Sequence, residues 1–108
     1  LGDDKVKDFV ARVRKAAGSD VPISHYLMTH YNAVRAVAAA LARAGKVDQE
    51  PLVNALEGLT LDTPTGPSVI GKADHHVTLN MYLARTEGSG LSVVQAMGQI
   101  SPQAGCPR

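Results

Sequence analysis

Cysteine is all but missing from this sequence: Cys106 is the only one in 108 residues. One thiol closes no intramolecular disulfide, and no His or Cys stands at a metal-ligand spacing from it. Aromatics are scarce too, with no tryptophan and only Phe9, Tyr26, Tyr31 and Tyr82. Alanine takes their place, which predicts helices packed closely through small side chains. Charge of one sign is also lacking, since eleven Lys/Arg face ten Asp/Glu. That balance gives no field to gather phosphate backbones or anionic lipid, so no nucleic-acid partner is expected. No apolar run is long enough to cross a bilayer, because the most apolar stretch, Ala33 to Ala44, is short and carries Arg35 and Arg43.

What is present belongs to a folded chain: 44% of residues are apolar and 19% charged, which rules against disorder. Val6, Phe9, Val10, Val13 and Ala17 recur at three- and four-residue intervals and predict a helix from about Asp4 to Ala17. Asp3 or Asp4 suits its start, Arg12, Arg14 and Lys15 suit its C-terminal end, and Gly18 stops it. After the connector Ser19 to Pro22, a long helix runs from Ser24 or His25 to Ala44 and ends at Gly45. Its apolar side (Leu27, Tyr31, Val34, Val37, Ala38, Leu41, widened by Ala33, Ala36 and Ala40) is broad enough to predict burial on more than one side. Asp48 is expected to cap a third helix, Gln49 to Leu56, in which Pro51 is tolerated because first-turn N–H groups lack helical partners.

The pattern changes at Thr60. Asp62-Thr63-Pro64-Thr65-Gly66-Pro67 cannot be helical, since its prolines and glycine restrict φ and remove donors. Beyond it, Val77, Leu79, Met81 and Leu83 alternate with Thr78, Asn80, Tyr82 and Ala84, as in a strand with one apolar face. Glu87 to Gly90 reads as a turn, Leu91 to Val94 as a return strand, and Ser68 to Ile70 as a short strand before a Gly71 to Asp74 turn. Three helices followed by a short antiparallel sheet, without alternation, read as α+β or as pieces of two domains. So small a sheet must pack on something further.

Candidate sites are few. In a strand the neighbours His75 and His76 point to opposite faces, so they do not converge on a metal, and no second pair of ligands accompanies them. His25 and His30 lie five apart and share no helix face. Ser24-His25 has no acidic residue to orient the histidine, so a cap and a surface histidine describe them better than catalysis does. No metal and no cofactor are expected. Gly88-Ser89-Gly90 opens no helix and holds no phosphate. Tyr26, near the start of the long helix, has two readings: an aromatic packed beneath Val21-Pro22-Ile23, or a side chain facing a cleft.

The chain opens at Leu1-Gly2-Asp3-Asp4 and ends in a Pro/Gly tail with the lone Cys106. With its undersized sheet, this leads to the expectation of a C-terminal part of a longer protein, Cys106's partner lying outside it. The ordered set of segments resembles a known family. Val6 to Gly18, Val21-Pro22-Ile23-Ser24, Tyr31-Asn32-Ala33-Val34 and Ala39 to Gly45 resemble the later helices of type I periplasmic binding proteins. Ala55-Leu56-Glu57-Gly58-Leu59 followed by Asp62-Thr63-Pro64-Thr65-Gly66-Pro67 resembles that family's last helix and joint, and His75-His76 resembles its amide and urea branch.

The resemblance implies part of a two-lobed α/β protein that closes on its ligand like a hinge. Residues 1–61 would belong to the N-terminal lobe, residues 62–67 would be an interlobe crossover, and residues 68–108 would belong to the C-terminal lobe. It implies a periplasmic solute-binding component of an ABC importer that takes a branched-chain amino acid, short amide or urea-like solute. Its partners would be the permease, the rest of its own chain and, for the isolated piece, other copies of itself. Tyr26 falls where the family places a ligand-contacting aromatic. Alternatives are a ligand sensor of the same fold, a small hydrolase using His25 or His75/His76, and a helical regulator binding nucleic acid.

Overall fold

A computed structural model describes residues 3–102, so Cys106 lies outside the described residues. The order is three helices, α1 (Asp4–Ala17), α2 (His25–Ala44) and α3 (Gln49–Leu56), then four strands, β1 (Thr60–Thr63), β2 (Gly66–Ile70), β3 (Val77–Glu87) and β4 (Gly90–Ile100). The Asp3 carboxylate accepts from the Lys5 N–H at the start of α1, and the Gly18 N–H closes its end on Arg14 O at 2.9 Å. Ser24 caps α2 by accepting from the Leu27 N–H, and Gly45 ends it in the left-handed region. Asp48 occupies the N-cap position of α3 but makes no side-chain cap bond. Its carboxylate is drawn 3.5 Å from Lys46 Nζ instead.

The buried apolar residues are Phe9, Ala36, Ala40, Ala55 and Leu61. Helices α2 and α3 pack together, and the small side chains at 36, 40 and 55 permit their close approach. The broad burial expected of α2 is not found: Val34 is 71% exposed and Val37 also faces outward. The reason is geometric, because Ala36 and Ala40 define one inward face and no described element covers the other. The Cα radius of gyration is 15.9 Å, against about 13 Å for a compact domain of similar size.

The strands form one antiparallel order, β1-β2-β3-β4. β structure begins at Thr60, earlier than the sequence pattern indicates, because Asp62 to Pro67 folds as a hairpin with Thr63 opposite Gly66. Gly66 has φ +104, and a Cβ there would collide with the Asn80 side-chain amide. The Thr63 hydroxyl donates to Gly66 O at 2.6 Å, and Asn80 Nδ2 donates to Thr65 O at 2.6 Å. The β1–β2 pair is continuous with the helices: the Gly58 N–H donates to Ile70 O and the Ile70 N–H to Leu59 O.

β3 shares only the ladder pairs Val69↔Thr78 and Ile70↔Val77 with β2, and beyond them Gln99 Nε2 donates to Pro67 O at 2.8 Å to hold the β3–β4 ribbon against the hairpin. β4 runs well past Val94, to Ile100, and register shifts fall between Met81 and Tyr82 and between Leu83 and Ala84. Each shift inserts one residue into β4 and breaks the two-residue alternation that would mark it in sequence. Val77, Leu79, Met81 and Ile100 line an open apolar groove on this ribbon.

Candidate functional site

Two regions of the helical layer carry the chemistry. The first is the opening turn of α2. Tyr26 is 67% exposed, not packed beneath the connector, and its ring lies against His25 with centroids 3.9 Å apart. The His30 Nδ1–H donates to Tyr26 O at 2.7 Å, which fixes that imidazole's tautomer and ties down the backbone beneath the tyrosine. The turn thus presents a phenol hydroxyl and an aromatic face to solvent from a capped helix start.

The second region is a polar cleft of about 290 Å³ where α1, α2 and the end of β1, with Pro64 of the following turn, meet. Tyr31 is its hub. Phe9 packs on the ring at 4.9 Å, while the guanidinium carbons of Arg12 and Arg35 lie 5.7 and 5.4 Å from its centroid. Arg12 also donates to Tyr31 Oη at 3.0 Å and pairs with Asp8, four residues earlier, at 2.9 Å. The Tyr31 side chain, first through its hydrogen bond, and then the Asp8 carboxylate raise the Arg12 pKa above its ordinary value. Arg35 donates to Asp62 O at 2.7 Å, and Lys5 Nζ reaches both Asp62 carboxylate oxygens at 2.9 Å. Nothing in the sequence pattern indicated this cluster. The available signal was Arg35 itself, a cation within an otherwise apolar and alanine-rich stretch.

The histidine pair is engaged structurally. His75 adopts φ 60 in the turn before β3, and its Nε2–H donates to Glu57 Oε1 at 2.9 Å. His76 pairs with Asp74, whose carboxylate also accepts the His76 backbone N–H. That backbone bond is the first cause of the lowered Asp74 pKa, which desolvation opposes. The Ser24 hydroxyl is engaged in the α2 cap, and His25 stacks on Tyr26. Among the described residues, no group of three or more His, Cys, Asp or Glu could hold a metal ion.

A family profile described as "Periplasmic binding protein" matches residues 1–90. Over 78 residues the chain is 31% identical to Leu/Ile/Val-binding protein homolog 6 of Brucella abortus strain 2308 and of Brucella suis biovar 1. That match covers 71% of this chain and 20% of each relative, so the chain spans about a fifth of their length. Among solved structures, it is similar to an ABC-type branched-chain amino acid transporter protein of Rhodopseudomonas palustris CGA009. The TM-score is 0.73 at 25% identity, over 91% of this chain and 28% of that one. A solute-binding protein of an ABC transporter from R. palustris BisB5, solved with 3,4-dihydroxybenzoic acid, shares the fold with TM-score 0.73. That match has 22% identity and covers 92% of this chain and 27% of the other.

Proposed function

Because this chain belongs to the periplasmic binding protein family, we propose that it forms part of the extracytoplasmic solute-binding component of an ABC importer. Function here is capture rather than turnover: the family consists of binding proteins, and the candidate hydrolytic residues are engaged in caps, turns and stacking. The observation that carries the reading is Tyr26, an exposed aromatic on a capped helix start, in a chain of this family. Its ring would cover an apolar portion of the solute, and its hydroxyl would hydrogen-bond a polar one. Affinity would come from closure of two lobes about a hinge, which desolvates those contacts. The partners would be the solute, the permease and the remainder of its own two-lobed chain, in the periplasm.

In this proposal residues 1–61 belong to one lobe and the β3–β4 ribbon to the other, with the passage between them lying within Asp62 to His76. The later part of that range is favoured, because β1 and β2 remain paired and tied to the helices while β3 shares only two backbone ladder pairs with β2 and meets the hairpin otherwise through side chains. The solute class is a small polar molecule. Leucine, isoleucine, valine, short amides and urea are the first to test, with aromatic acids added because of the R. palustris BisB5 protein. Thermal shift of the full-length protein with these compounds should single out one class by a saturable rise in Tm. No stabilisation by any of them would contradict the proposal.

A further inference from the structure

We propose that the cleft between α1, α2 and the end of β1 is a binding site for a small oxyanion, separate from the Tyr26 surface and independent of the solute reading. Three cations, Lys5, Arg12 and Arg35, line it against two carboxylates, Asp8 and Asp62. Lys5 is engaged with Asp62, and Arg12 with Asp8. Arg35 has no carboxylate within ion-pair distance among the described residues. The residue is half-buried, and its guanidinium rests on a backbone carbonyl and on the Tyr31 ring.

One carbonyl and one π face engage only part of a guanidinium's five N–H donors. Its fork of N–H donors matches a carboxylate or a tetrahedral oxyanion. Arg12 lies against the same ring and lines the same cleft, so an anion held there can draw on both guanidinium groups. The floor is preorganised: Tyr31 is packed on Phe9, and Arg35 is held in place by Asp62 O. A volume of about 290 Å³ lies just under the usual range for small-molecule pockets, which restricts the site to a compact anion.

The test titrates full-length protein, labelled with 15N-arginine, with sodium acetate and with sodium sulfate against sodium chloride at matched ionic strength. The Nε–H resonances of Arg12 and Arg35 should shift saturably with one or both oxyanions while Arg43, in the last turn of α2, stays unmoved. The tighter of the two identifies the source as a carboxylate or a tetrahedral anion. Arg35→Lys should weaken binding about tenfold, as expected for loss of one charge-assisted bidentate contact. Arg12→Gln, which leaves the Arg35–Asp62 bond in place, should weaken it too. Tyr26→Ala should leave it unchanged, which separates this site from the solute site. Linear shifts, equal shifts with chloride, or full affinity in both arginine variants would overturn the proposal.

Discussion

Tyr31 shows how one residue can hold an arrangement that no local pattern announces. Its ring receives Phe9 and two guanidinium groups, and the cleft beside it is bordered by a Lys5–Asp62 pair 57 positions apart. Spacing rules reach only a turn or so along the chain, so such a site is assembled by the fold and cannot be read beforehand. Gly66 is the opposite case. Its place in Thr65-Gly66-Pro67 marks a turn, and the structure adds φ +104 and the close Asn80 amide. Gly66→Ala should therefore cost about 1–3 kcal/mol, measured as a loss in urea unfolding free energy. Asp74 gives a pH prediction. Its carboxyl lies below the ordinary value of 3.8, chiefly through the His76 backbone N–H. A group whose folded pKa is depressed contributes stability above its unfolded value, and that contribution disappears as pH falls through the folded one. Wild-type stability should thus fall more steeply below about pH 4 than that of Asp74→Asn. His76→Ala should retain most of the dependence, because the backbone donor remains.

At the scale of elements, the helices were legible because apolar spacing and terminal residues agreed. The caps were less so. Ser24 accepts a backbone N–H, whereas Asp48 stands in the equivalent position and turns to Lys46. Ser24→Ala should cost about 1 kcal/mol and Asp48→Ala close to nothing, compared by thermal unfolding. Helix α1 buries one residue fully, Phe9, and Phe9→Ala should cost about 3–5 kcal/mol. The loss should show as faster hydrogen exchange across α1 than across α3. The strands were legible only where alternation is regular, as in Val77 to Leu83. β1 is four residues long and abuts Pro64, and β4 carries two register shifts, so neither presents a clean period. The β1–β2 hairpin shows that a segment excluded from helix by its prolines can still pair as strands at both ends.

At the scale of the molecule, the helical layer and the ribbon each leave an apolar face bare. Val34 and Val37 stand open on α2, and Val77, Leu79, Met81 and Ile100 on the ribbon. In the proposed two-lobed protein the remainder of the chain would cover both. The isolated chain should therefore self-associate, and Leu79→Glu with Met81→Glu should shift sedimentation toward monomer. The family was legible from the ordered segments, above all Ala55 to Pro67. The aromatic at position 26 stands out by its place near the start of α2 and has two readings there, of which the resemblance favours the cleft, while the structure contributes its exposure. The most direct test of the account is isothermal titration of full-length protein, with tyrosine or alanine at position 26, against the solute that stabilises it in the thermal screen. Saturable one-site binding is expected, weakening at least tenfold in Tyr26→Ala, as when a buried aromatic contact of about 1.5 kcal/mol or more is lost. Equal affinity in the two proteins would contradict it.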